Sequence, residues 1–191
     1  MTADDAKVSD ETLIGRTAAG DPSAFDRLVR RHQAAVYRFA RAAAPDGPPG
    51  DTGDAVEILR ETFLAARRAA SRHRDETSAR PWLLALARQA IDRRHPRFRE
   101  ADLTPLRELA RAAGWQSGGG GAVDESGLSV ETAFAALPPE DREILTLCDR
   151  EYFTVDEAAR VTGLSDAAVR TRLHRARLRL LARLKERPHG E

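Results

Sequence analysis

Cysteine is nearly missing from this chain, with Cys148 the only one among 191 residues. A single thiol forms no internal disulfide, and no Cys/His grouping has zinc-ligand spacing. Cys148 lies in an apolar helical pattern and reads as a small core residue. No apolar run approaches membrane-spanning length, and the N-terminus is acidic and polar where a signal peptide would be apolar. The chain therefore reads as soluble and cytoplasmic, with no membrane insertion. No glycine loop cradles phosphate, since the Gly118–Gly121 run follows no strand, and no nucleophile–base pair stands out. These absences weigh against an enzyme and against any cofactor. Lysine is scarce too, outnumbered 29 to 2 by arginine, a bias that a GC-rich genome imposes.

A net charge is also lacking, at only +1 formally. Its distribution says more. Residues 66–100 hold ten arginines against four acids, and residues 165–187 hold eight Arg/Lys against two acids, a local +6 in each block. The remainder is therefore acidic. Two cationic patches on an acidic body suit a chain that grips a polyanion at two places. The acidic remainder equally suits a basic protein partner.

The most informative stretch is TVDEAARVTGLSDAAVRTRLHRARLRLLARLKER, residues 154–187. Thr154 with Glu157 three residues on forms a capping box for a short helix through Ala158, Ala159 and Val161. Gly163 suits the left-handed residue that closes such a helix, and Leu164 then points back inward. Ser165 is an N-cap for a second helix, with Asp166 at the positive end of its dipole. Val169, Leu173, Ala176 and Leu180 recur at helical spacing as one buried stripe. Arg170, Thr171, Arg172, His174, Arg175, Arg177 and Arg179 occupy the other faces. An arginine run alone is usually a solvated surface. Behind a capped helix and a Thr-Gly-Leu turn, it is the second helix of a helix-turn-helix, shaped for a DNA major groove.

Taken in order, residues 1–9 read as disordered. A short helix from Glu11 ends at Gly20, and Asp21 with Pro22 starts another that keeps helical period to about Ala44. PDGPPGDTG, residues 45–53, is a loop with no evident function. Asp54 opens a third helix with Ala55, Ile58, Leu59, Thr62, Phe63 and Ala66 inward. Val56, Glu57, Arg60, Glu61 and Leu64 face outward, where exposed apolar residues mark a partner surface or ordinary scatter. Residues 71–80 are a charged loop. From Pro81 a helix turns Trp82, Leu83, Leu86, Ala87 and Ile91 inward and shows Arg88, Gln89, Asp92, Arg93 and Arg94. Trp82 reads as a core anchor. Arginines flanking a loop beside such a helix also suit single-stranded DNA. A two-turn helix is expected from Thr104 to Ala113, then the tether WQSGGGGAVDESG. Fully extended, the linker over 100–129 spans on the order of 100 Å, against about 34 Å per DNA turn. Val130–Leu137 is helical, Pro138 and Pro139 break it, and a helix with Ile144, Leu145, Leu147 and Cys148 inward leads through Tyr152 and Phe153 into the capped motif.

GDPSAFDRLVRRHQAAVYRFA (20–40), AVEILRETFLAA (55–66) and RPWLLALARQAIDRR (80–94) resemble region two of bacterial extracytoplasmic-function sigma factors of the sigma-70 family. LPPEDREILTLCDREYFTVDEAARVTGLSDAAVRTRLHRARLRL (137–180) is similar to region four. The resemblance covers about four-fifths of the chain. It implies an all-α fold of two helical domains joined by a flexible linker, with region two over 10–99, linker over 100–129 and region four over 130–187. It implies a non-catalytic subunit that binds core RNA polymerase and directs promoter-specific initiation. Region two would contact the polymerase clamp through Val56, Glu57, Arg60, Glu61 and Leu64. It would open the minus-10 element, holding the melted non-template strand with Arg72, Arg74, Arg80, Arg88, Gln89 and Arg93. Region four would meet the polymerase flap and read duplex minus-35 DNA with Arg170, Thr171, Arg172, His174, Arg175 and Arg177. Arginine suits both phosphates and guanine edges. An anti-sigma factor is a further implied partner. The chain departs from the family at Gln89, where an asparagine is usual, and at Arg60, which reverses a charge on the polymerase-binding helix.

Two other classes remain in view. A conventional helix-turn-helix regulator explains 130–187 but not the basic loop and Trp-anchored helix of 71–94. An enzyme with an appended DNA-binding domain would need a catalytic constellation, which the sequence does not display.

Overall fold

Most helices begin where the sequence supplies an acceptor for amides that have no partner in the first turn. The computed structural model describes residues 8–44, 53–73, 78–95 and 129–185. Ser9 Oγ accepts from the Thr12 amide at 3.2 Å and opens α1 (Asp10–Ala18). The expected disorder of residues 1–9 therefore does not reach its last two, since Val8 packs on a small apolar cluster and its carbonyl accepts from Arg31. Gly20 takes a left-handed φ of +89°, and Asp21 then caps α2 (Pro22–Ala43) through the amides of Ser23 and Ala24. The Arg16 guanidinium, 2.6 Å from the Asp21 carboxylate, together with Ser23 and the Ala24 amide holds that carboxyl down at about 2.

α3 (Gly53–Ala69) runs into a 3-10 turn over Ala70–Arg72. α4 (Ala79–Arg94) begins earlier than the sequence pattern places it, so Pro81 lies in the first turn, where its missing N–H costs nothing. The second half holds α5 (Val130–Ala135), α6 (Pro139–Leu145), α7 (Val155–Thr162) and α8 (Asp166–Lys185). Among the described residues there are eight α-helices and no strand, as an all-α chain requires. The loop 45–53 except Gly53, the helix expected from Thr104, and the tether before Ser129 lie outside the described residues.

One expected helix changes character. After α6 the chain widens into a π turn over Thr146–Arg150, and the Glu151 amide donates back to the Thr146 carbonyl at 2.9 Å. Tyr152 follows with φ +56° and is itself 84% exposed. A left-handed tyrosine costs about 1–2 kcal/mol. The turn directs Glu151 and Phe153 inward on either side of it, both buried.

One apolar cluster runs through both halves. Phe39, Ile58, Leu83, Leu84 and Ile91 from the first half share it with Ile144, Leu147, Ala158, Val161 and Val169 from the second. A smaller cluster of Leu13, Ile14, Ala24, Leu28, Ala70 and Ala79 seats α1, with Trp82 touching both. The halves meet where α6 packs on α2 and α7 packs on α4. Arg142 is buried at this seam. Its guanidinium donates to the carbonyls of Ala42 at 2.9 Å and Ala44 at 3.0 Å, at the end of α2, and to those of Ala135 and Leu137. A buried cation is tolerated only with such donors satisfied, and a helix C-terminus presents the free carbonyls and partial negative charge that attract it.

Candidate nucleic-acid interface

The helix-turn-helix forms as its sequence dictates. Thr154 Oγ1 accepts from the Glu157 amide at 3.2 Å, while the Glu157 carboxylate accepts from the Thr154 amide at 2.9 Å. Gly163 closes α7 in the left-handed region at φ +70°. Ser165 Oγ accepts from the Ala168 amide at 3.3 Å and starts α8. Val169 and Ala176 are buried, and Leu173 and Leu180 pack against the core from its edge. Leu178 is buried as well, which the predicted stripe omitted.

This seating sorts the arginines of α8 onto two faces. Arg170, Thr171, His174 and Arg177 are exposed. Arg170 stands 3.7 Å from Asp166, and Arg177 donates to Asp149 at 2.6 Å. Arg172 and Arg175 are half-buried, one step around the helix, and with Arg179 they turn toward the acids of α6. Arg179 pairs with Asp141. Burial, with Glu140 beside it, raises the Asp141 carboxyl to about 6 against the pull of Arg172 and Arg175. Of the six residues named from sequence, Arg170, Thr171, His174 and Arg177 are therefore the exposed ones, while Arg172 and Arg175 are half-buried.

α4 differs. Its apolar residues cover most of its circumference, with Leu83, Leu84, Ala87, Ala90 and Ile91 all buried. Arg88, expected outward, is only 8% exposed. It donates to Glu143 of α6 at 2.9 Å and to Asp92 at 2.6 Å. Burial raises the Glu143 carboxyl while Arg88 opposes the shift. Arg80 pairs with buried Glu151, which also accepts from Arg38 at 2.9 and 2.7 Å. Gln89, Arg93 and Arg72 are exposed. Arg93 lies 3.8 Å from Glu61, and Arg74 lies outside the described residues. Trp82 is half-buried, its ring tilted at 45° against that of His73 with centroids 4.5 Å apart. That histidine had no sequence signal, because its partner is fixed only when the 3-10 turn meets α4.

The outer face of α3 carries Val56, 46% exposed, and Leu64, 37% exposed. Between them Arg60 donates to Glu57 at 2.7 Å, so the reversed charge is partly neutralised on its own helix. Glu61 is engaged from α4 by Arg94 at 2.9 Å, and Arg94 also donates to Asp54 at 2.7 Å. The result is an amphipathic, nearly charge-balanced strip. Among the described residues no group of His, Cys, Asp and Glu is placed to hold a metal, and no helix is long and apolar enough to cross a membrane.

The family model for Sigma-70 region 2 matches residues 28–99, and that for Sigma-70, region 4 matches residues 127–180. The ECF RNA polymerase sigma factor SigM of Mycobacterium tuberculosis is 31% identical over 172 residues, covering 90% of this chain and 83% of SigM. This chain is an extracytoplasmic-function sigma factor. Another relative of the sigma factor, the probable RNA polymerase sigma-C factor of Mycobacterium bovis, is 32% identical, with 95% of each chain covered. The solved structure of CnrH in complex with the cytosolic domain of CnrY is 28% identical with a TM-score of 0.58, covering 90% of this chain and 94% of CnrH.

Proposed function

We propose that this sigma factor binds core RNA polymerase through the α3 strip and directs it to promoters by reading two separated elements. The exposed face of α8, with Arg170, Thr171, His174 and Arg177 outermost and Arg172 and Arg175 beside them, reads duplex minus-35 DNA. The α4 surface and the turn before it, with Arg72, Arg74, Arg80, Arg88, Gln89 and Arg93, hold the melted non-template strand at minus-10. The division into residues 10–99 and 130–187, linked through 100–129, lets the two elements be addressed together. The chain contributes no catalytic chemistry, works in the cytoplasm and is held in check by an anti-sigma protein. CnrH, seen in complex with the cytosolic domain of CnrY, supports that last assignment.

The observation that carries this reading is a helix-turn-helix with an exposed basic face, joined in one chain to a second basic helix that flanks an amphipathic strip. A conventional regulator has no use for the second and third of these. The test is assembly with purified core polymerase. A stoichiometric complex should survive size exclusion, and Val56→Asp with Leu64→Asp should weaken it at least tenfold. No complex with the folded wild type, or an undiminished one with the double variant, contradicts the assignment.

A further inference from the structure

The two exposed arginines among the duplex contacts named on α8 are not held alike. Arg170 lies 3.7 Å from Asp166, one turn back on the same helix and beyond hydrogen-bond distance. Arg177 is gripped. Its Nε donates to Asp149 Oδ2 at 3.2 Å and its Nη2 to Asp149 Oδ1 at 2.6 Å, a two-pronged pair made across 28 residues of chain. Such a pair fixes the plane of the guanidinium as well as its position. Asp149 is itself well placed to hold it, because it comes from the π turn, which buried Leu147 and Glu151 anchor on either side. Asp149 takes one N–H on Nε and one on Nη2, which leaves the edge formed by Nη1 and Nη2. That edge carries the parallel donors that O6 and N7 of a guanine accept in the major groove. The Arg177 side chain stays 53% exposed, open to a duplex lying along α8.

We propose that Asp149 is a specificity-determining residue of the sigma factor, a positioning residue that holds Arg177 with its Nη1–Nη2 edge presented to one guanine of the minus-35 element. Arg170, held loosely, is left to follow a phosphate. The proposal rests on the reading of duplex DNA by α8. A carboxylate beside a DNA-facing helix repels phosphates, so Asp149 weakens binding to duplex of any sequence. What it gives instead is discrimination, because specificity is a difference of affinities. A free arginine can swing from a base to the nearest phosphate, and a fixed one cannot. Fixing the side chain before DNA arrives also removes part of the entropy cost of ordering it at the interface. The pair adds little to stability, since both partners are exposed. Its effect is on recognition.

The test uses the full chain, wild type or variant, assembled with core polymerase. The probe is a pool of promoter duplexes with a randomised minus-35 element, and the templates that the complex retains are sequenced. Wild type should show one position where guanine is preferred by about tenfold or more, and Arg177→Ala should erase that preference. Asp149→Ala should relax it at the same position by at least about fivefold and leave the other positions unchanged. Asp149→Ala added to Arg177→Ala should change nothing further, because the two residues act as one unit. The urea midpoint of Asp149→Ala should stay at that of the wild type, which sets the effect apart from lost folding. Wild-type preferences in Asp149→Ala overturn the proposal, as does a loosening at every position alike. An Arg177→Ala variant that retains all templates less, with no change of base preference, makes Arg177 a phosphate contact and overturns it too, while the promoter reading stands. A wild-type complex that retains all templates equally removes the minus-35 assignment itself.

Discussion

α4 and α8 lie in segments of equal net charge, yet one buries its central arginine and the other displays most of its polar side chains to solvent. The difference lies in how much of each helix is apolar. On α8 the apolar positions make one stripe that seats on α5, α6 and α7, leaving the remaining circumference to water. On α4 leucine and alanine occupy nearly every direction, a composition that demands cover on more than one side. When α6 and α7 supply that cover, Arg88 is carried under it and Glu143 makes that tolerable, while Arg80 pairs with buried Glu151 and keeps part of its side chain in water. Arginine density thus marks a candidate nucleic-acid helix without telling which of its arginines are exposed. The apolar residues around it decide that.

The comparison is broken most directly by removing a leucine from each helix. Leu83→Ala on α4 should destabilise the chain by about 2–5 kcal/mol in urea unfolding, since it opens a cavity in a fully buried site. Leu181→Ala on α8, at a side chain 38% exposed, should change stability by no more than about 0.5 kcal/mol. Equal losses would mean that the two helices are covered alike.

A smaller effect separates stability from recognition. Arg170→Ala should weaken binding to a cognate promoter duplex by about 1–3 kcal/mol if it reads a base, and lower the salt slope by about one if it meets a phosphate. Its unfolding midpoint should not move. Binding by the parent should weaken with a log–log slope of about −0.9 per neutralised phosphate. Arg172→Ala and Arg175→Ala sharpen the point. Half-buried beside Asp141, they should alter stability as well as binding, and wild-type affinity in both would remove their part in groove reading.

The capping box supplies a third step down the scale. Thr154→Ala should cost about 1 kcal/mol in thermal or urea unfolding, because the Glu157 amide loses its acceptor. No loss would mean that the tertiary contacts of α7, not its cap, fix where the recognition motif begins.

The smallest effect is a pH dependence at the start of α2. Asp21 is held at about 2, below the ordinary 3.8, first by Arg16 and then by Ser23 and the Ala24 amide. A depressed carboxyl stabilises the fold when ionised. Its contribution is complete above about pH 4 and is lost as pH falls through about 2. Asp21→Asn should flatten acid unfolding in that window, and unchanged curves would show that the cap is not coupled to folding.

Much of the fold was legible because its causes are local. The Thr154/Glu157 box, Gly163, Ser165 and the Asp21–Pro22 start each act over two or three residues, so sequence shows them directly. What escaped depends on distant partners. Arg142 finds the carbonyls of Ala42 and Ala44 about a hundred residues away, and Glu151 finds Arg38 at 113. No periodicity in α4 reveals that Glu143 will stand opposite Arg88. The π turn was invisible for a related reason, since its wide hydrogen bond is stabilised by where it sends Glu151 and Phe153 and carries no composition signal of its own. The α3 residues Val56, Arg60 and Leu64 were expected to face outward and do, but the pairing of Glu61 with Arg94 was not foreseeable from either helix alone.

The most direct measurement is run-off transcription by reconstituted core polymerase on fragments of the host genome, with and without the purified sigma factor. The account predicts discrete transcripts that require the wild-type chain and that Arg170→Ala with His174→Ala strongly reduces. Core polymerase that remains indifferent to sequence in the presence of a folded chain, or transcripts unaltered by those substitutions, would contradict it.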